Sequence, residues 1–104
     1  MLFRSPFEFH PIDFAKGEHK APAFLQRQPF GQVPYLDDDG FILFESRAMA
    51  RYIALKYRGQ GTQGLIPDVA DLHKNALFEQ AASIEQSNFD MYASAIAAEK
   101  VFKP

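Results

Sequence analysis

QPFGQVPYLDDDGFILFESRAMARYIALKY, residues 28–57, decides the fold of this chain. It reads as two short strands followed by a helix. The strands are expected at 33–37 and 41–45, joined by a tight turn around Asp38, Asp39 and Gly40. Ser46 suits the cap of a helix running to about residue 58, on which Met49, Ile53 and Tyr57 share one face with Ala50 and Ala54 beside them. The acidic run Asp37–Asp38–Asp39 ahead of Gly40 resembles the start of a calcium loop, but the later ligands of such a loop are absent and a hairpin turn is the better reading.

Upstream of this block, Pro22 fits a first helical position, so 22–28 reads as a short helix with Phe24 and Leu25 turned inward, although Ala21 is a poor N-cap. AKGEHK at 15–20 is a polar loop. FEFHPID at 7–13 alternates apolar and polar residues as a strand does, and Pro11 confines it to an edge or an irregular end. Downstream, GQGTQGLIP at 59–67 has the glycine density of a linker. From residue 68 the pattern is helical, with Leu72, Ala76, Phe78, Ala81, Ala82 and Ile84 as candidate core positions and a bend expected at 88–90. The expected organisation is therefore a small α/β domain at 1–58, a linker at 59–67 and the start of a helical domain at 68–104.

Composition narrows the function. The chain has 104 residues, 47% of them hydrophobic and eleven of them Phe, which suits a packed core and not a disordered segment. A formal charge of −2 with no Lys/Arg cluster argues against nucleic acid or an anionic membrane as the main partner. There is no cysteine, which removes thiolate catalysis and Cys-ligated metal. No apolar run approaches the roughly 20 residues needed to span a bilayer, and MLFRSPFEF is too short and broken for a signal peptide. Three scattered histidines do not suggest a metal site, and His10 and His73 read as structural or surface residues. A reduced, soluble, cytoplasmic protein without a metal is expected.

Gln32-Val33-Pro34 stands directly ahead of one strand and Glu45-Ser46 at the seam between the other strand and its helix. A cis bond at Val33–Pro34 would turn the chain sharply and leave the Val33 N–H and C=O facing outward, where an extended peptide can pair. A helix start carries unsatisfied N–H groups and takes an anion, while the adjacent Glu45 carboxylate takes an ammonium. Together these suit an α-amino acid head group. His19 and Lys20 offer cationic donors for a second carboxylate. A small peptide with an amino-acid head, an extended middle and a terminal carboxylate is glutathione.

GEHK, PFGQVP and FESRA occur here in the order and spacing of the glutathione S-transferases, and the stretch 17–57 resembles most the phi class and its fungal relatives. The resemblance extends from about Phe7 to Pro104, including GQGT and the downstream NFD…VFKP. It implies a thioredoxin-like domain followed by an all-helical one, with glutathione as co-substrate, an electrophilic small molecule as second substrate and a homodimer as the assembly. On it, His19 and Lys20 would contact the glycyl carboxylate, and Gln32 and Val33 the cysteinyl and glycyl backbone. Pro34 would be a cis-proline, and Glu45 and Ser46 would hold the γ-glutamyl group. Phe30 matches an aromatic key inserted into a dimer partner. Phe89 and Tyr92 fall where the first helix of the helical domain lines the electrophile pocket, although by pattern alone they suit a core.

The family also opens with a strand and a long helix, at whose junction a serine stabilises the glutathione thiolate. Only MLFRSP precedes Phe7. Ser5 stands immediately before the expected strand with no helix to orient it, so no catalytic residue is assigned. The chain is expected to be the middle half of a subunit, shortened at both ends, with an incomplete thioredoxin-like domain. The expected function is glutathione transfer to electrophiles or peroxide reduction, with a non-catalytic glutathione-binding or protein-interaction module, or a gene-model fragment, as alternatives.

Overall fold

The computed structural model describes residues 7–102; Ser5 lies outside them. Two compact units divide the chain at residues 1–52 and 53–104.

The first unit is built around the antiparallel hairpin β1 (Tyr35–Asp38) and β2 (Phe41–Phe44), in the register Tyr35↔Phe44, Leu36↔Leu43, Asp37↔Ile42 and Asp38↔Phe41. Asp39 and Gly40 form the two-residue turn with φ of 51° and 94°. Positive φ at both positions matches the twist of the flanking strands, and Asp-Gly is a preferred pair for it. The Asp37 carboxylate closes the turn by accepting the Gly40 N–H at 2.8 Å.

A lone two-stranded hairpin is at best marginally stable in water, and here side chains clad both of its faces. On one face, Tyr35 meets Phe24 edge-on with ring centroids 5.2 Å apart, and Phe44 meets Phe30 at 6.0 Å. On the other, the Tyr52 hydroxyl donates to Asp38 while its ring lies 5.2 Å from Phe41. The Arg27 guanidinium hydrogen-bonds the Tyr35 hydroxyl at 3.3 Å and lies 3.9 Å from Asp37. That bond to Tyr35, and then the Asp37 charge, raise its already high pKa.

Phe24 belongs to α1 (Pro22–Leu25), with Pro22 in the first turn as expected. This helix is a single turn, shorter than 22–28. Pro29 disfavours helical backbone at Gln28, and the chain tightens so that both the Arg27 and Gln28 N–H groups donate to Phe24 O at 2.9 Å. A 3₁₀ turn, Glu18–Lys20, precedes α1. It is tied back to Asp13, whose N–H donates to the Glu18 carboxylate at 3.0 Å and whose carbonyl accepts the Glu18 N–H at 3.1 Å.

Three further expectations are corrected in this unit. Residues 7–13 form no strand: they pair with no ladder among the described residues, and alternation alone cannot satisfy a strand's backbone groups. The first hairpin strand begins at Tyr35 and not Val33, since Pro34 has no N–H to give a ladder. Finally, Ser46 is the first residue of α2 (Ser46–Lys56) and not its cap. The chain reverses one residue earlier, at Glu45, whose φ is 75° and whose carbonyl accepts the first helical N–H, that of Met49, at 2.9 Å.

In the second unit, Arg58 donates to Ile66 O at 3.4 Å across the glycine-rich segment 59–67. Helix α3 (Leu72–Ile84) starts at Asp71, whose side chain accepts the Lys74 N–H at 3.2 Å, an N-cap bond of the usual kind. The helix then widens into a π-helical stretch, Glu85–Asp90, where a bend was expected, and continues through α4 (Met91–Ala97) into another, Ala98–Phe102. The expected core positions are not buried. Leu72, Ala76, Ala81 and Ile84 are exposed and Phe78 and Ala82 half-buried, because no described element covers that face of α3. No helix of the described residues is long and apolar enough to cross a membrane.

Candidate functional site

A polar-walled cavity of about 100 Å³ lies between the entry to β1 and the start of α2, lined by Gln28, Gln32, Val33, Pro34, Glu45 and Ser46. Five of these six are the residues singled out in QVP and ES. The hairpin brings them together: it folds the chain back so that the segment before β1 and the segment after β2 meet at the same end. The cavity is open to solvent on one side and has room for a compact charged group.

The Val33–Pro34 peptide bond is cis, and Val33 is exposed. Glu45 adopts the left-handed conformation, which a non-glycine residue occupies at a cost of order 1–3 kcal/mol and which concentrates at functional sites. Glu45 directly precedes the first turn of α2 and lines the cavity together with Ser46; a helix start is where N–H groups lack intrahelical partners. Among the described residues neither the Glu45 carboxylate, the Ser46 hydroxyl nor the Gln32 carboxamide has a hydrogen-bond or ion-pair partner. An acceptor of charge −1 and a set of donors thus stand side by side. This is complementary to a group carrying both an ammonium and a carboxylate.

His19 and Lys20 do not line the cavity. Lys20 Nζ donates to Phe30 O at 3.4 Å. Its side chain lies so close to Gly31 that a Cβ there would stand 2.8 Å from both Cδ and Nζ, and Gly31 itself has φ of 62°. The positive φ is the stronger reason for glycine here, since the Lys20 side chain can move away. The His19 ring is tilted over Phe14 at 4.9 Å, with its Nδ1 buried and without a partner among the described residues. Phe30 leaves 64% of its surface exposed despite its contact with Phe44. Phe89 and Tyr92 belong to the second unit, where both are exposed.

Gln28 escaped the sequence reading. It is a polar residue at 2% exposure, it lines the cavity, and its Oε1 accepts the Phe30 N–H at 2.8 Å. The one signal available was its place two residues ahead of an N–H that a turn would free, and a surface glutamine gives the same signal.

The family described as "Glutathione S-transferase, N-terminal domain" matches residues 3–55. Glutathione S-transferase PM239X14 of Arabidopsis thaliana is 51% identical over 94 residues, covering 88% of this chain and 42% of that protein. Glutathione S-transferase hmp2 of Hypomyces subiculosus is 48% identical over 98 residues, covering 94% and 45%. Among solved structures, glutathione transferase F2 from Populus trichocarpa superposes with a TM-score of 0.85 at 38% identity, covering 95% of this chain and 45% of that one. The chain thus spans somewhat under half the length of the relatives it matches. Its α/β unit is part of a thioredoxin-like domain, followed by helices. With a family match over half of its length and relatives about half identical, the chain belongs to the glutathione S-transferase family, among its phi-class members.

Proposed function

We propose that this chain binds glutathione, with the γ-glutamyl head group in the cavity between Glu45–Ser46 and Gln32–Pro34. The observation that carries the reading is the convergence of an unpaired carboxylate, an unpaired hydroxyl and a helix start on one small polar cavity. The ammonium of the head group meets Glu45. Its carboxylate meets the first turn of α2 and Ser46. The cysteinyl backbone pairs with the outward N–H and C=O of Val33, as a peptide adds to a strand edge. The glycyl carboxylate reaches toward His19 and Lys20, beside the 28–31 turn.

The reaction proposed with this binding is attack of the glutathione thiolate on an electrophilic carbon, or reduction of a peroxide, in the cytoplasm and in a homodimer with Phe30 at the contact. Phe89 and Tyr92 are the candidates for the electrophile side. Domain limits of 1–58 and 68–104 around a linker at 59–67 remain part of the proposal. No described residue is assigned to stabilise the thiolate. A hydrogen bond to that anion would lower the thiol pKa, and its donor determines whether the chain conjugates or only binds.

Titration calorimetry of the full chain with glutathione tests the binding. Glu45→Ala or Ser46→Ala each removes a hydrogen bond to a charged group, worth about 1.5–3 kcal/mol, so affinity falls about ten-fold or more. Equal affinity in parent and both variants would reject the site. Conjugation of a chlorinated nitroaromatic by the same protein separates a transferase from a binding module.

A further inference from the structure

We propose that Gln28 is a ligand-binding residue whose carboxamide N–H groups donate to the α-carboxylate of the γ-glutamyl head group. The inference rests on the glutathione reading above and extends it to a residue outside QVP and ES. Gln28 is 98% removed from solvent, and its backbone is fixed at both ends: its N–H donates to Phe24 O at 2.9 Å and its carbonyl accepts the Gly31 N–H at 3.0 Å.

Its side chain is fixed as well. The carboxamide atom 2.8 Å from the Phe30 N–H must be an acceptor, hence the oxygen. This settles the orientation of the amide and leaves the NH₂ with two donors. Among the described residues nothing accepts them, and the side chain lines the same cavity as Ser46. The amide nitrogen is not sealed from solvent, and Gln28 lines the cavity, so a ligand acceptor there takes the place of water on these donors.

The remaining groups say which acceptor. Ser46, the first residue of α2, is a further source of donors to the same volume through its hydroxyl and its helix-start N–H, so the occupant on this side is an anion. A phosphate or sulfate would bring no cation to the unpaired Glu45 beside it. An α-amino acid head brings its own ammonium, and its carboxylate accepts up to about four hydrogen bonds. Gln28 therefore reads the presence of that carboxylate, while the bond from Phe30 holds the reader in place.

The test uses the full chain and two probes in calorimetry: glutathione, and 4-aminobutyryl-Cys-Gly, which lacks only the γ-glutamyl α-carboxylate. Gln28→Glu keeps an oxygen for the Phe30 N–H but replaces the donors with a second oxygen; it is measured at about pH 8, well above the ordinary carboxyl range. Gln28→Met removes the donors without adding charge. Both variants should bind glutathione about ten-fold or more weakly, while their affinity for the analogue stays within about two-fold of the parent's. Analogue binding also reports that the site is folded. Glutathione affinity unchanged in Gln28→Glu, or an equal loss for both probes in both variants, would overturn the inference and leave the glutathione reading standing. A parent chain that binds neither probe would overturn both.

Discussion

The hairpin unit and the helical unit both leave large apolar residues exposed, Phe7, Phe9, Phe14 and Phe30 in the first by more than half, but they differ in how their aromatic side chains find neighbours. In the first, each aromatic of the hairpin has a neighbour within its own unit: Tyr35 meets Phe24, Phe44 meets Phe30 and Phe41 meets Tyr52. In the second, Leu72, Leu77, Ile84, Met91 and Ile96 leave more than half of their surface exposed. The difference follows from how much surface each element can cover by itself. A hairpin can take one aromatic from the segment before it and one from the helix after it onto its two faces, whereas one run of helix can satisfy its backbone but cannot bury its own apolar stripe. The unit that packs its side chains is also the one that carries the candidate site, because polar groups are fixed in direction only where their neighbours are fixed.

The largest effect expected is from Phe24→Ala, which empties the packing under Tyr35 in the one buried aromatic position among the described residues. A loss of about 3–5 kcal/mol is expected, read by urea denaturation together with amide exchange across β1 and β2. A loss under about 1 kcal/mol would show that the hairpin does not depend on α1.

Gly31→Ala comes next. The new Cβ must displace the Lys20 side chain and approach the His19 carbonyl at 3.1 Å, in a backbone conformation unfavourable for alanine. About 1–3 kcal/mol is expected, with exchange quickening at Lys20 and Gly31 before it does in the hairpin. Uniform quickening across the unit would contradict the assignment of strain to this turn.

Two changes in the helical unit should be smaller. Asp71→Ala removes the cap on the Lys74 N–H and should cost about 1 kcal/mol of local helix stability, seen as fraying confined to the first turn of α3. Leu72→Ser alters a residue 76% exposed and should change stability by no more than about 0.5 kcal/mol. A loss comparable to that of Phe24→Ala would mean that this face is covered in solution, and would sharpen the comparison by locating where.

What could be read from sequence followed the same division. The turn at Asp39-Gly40 was legible because two adjacent residues tolerate positive φ, and α2 was legible from the spacing of Met49, Ile53 and Tyr57. Gln32 and Ser46 could be paired because a hairpin of known length fixes which residues meet at its end. The left-handed turn at Glu45 was not legible, since nothing in a glutamate favours it; the strand-to-helix reversal imposes it and thereby moves the cap off Ser46. The burial of Gln28 comes from the collapse of 24–31 around Phe24, which is a tertiary outcome. Residues 7–13 carried a strand's alternation, but alternation reports a half-buried surface only when a neighbour exists to bury it. The same holds for Leu72 and Ile84: periodicity marked the face and could not say whether anything lies on it.

The central claim is that glutathione recognition resides in the segment joining the entry of β1 to the start of α2. Titration of ¹⁵N-labelled full chain with glutathione, followed amide by amide, tests it most directly. Saturable shifts should appear at Gln32, Val33, Glu45, Ser46 and Arg47, with smaller ones at His19 and Lys20, and the Ser46→Ala variant should need about ten-fold more ligand to reach half-saturation. Saturable shifts confined to 72–102, or none at the Glu45–Ser46 amides at ligand levels that saturate the parent's heat signal, would contradict the claim.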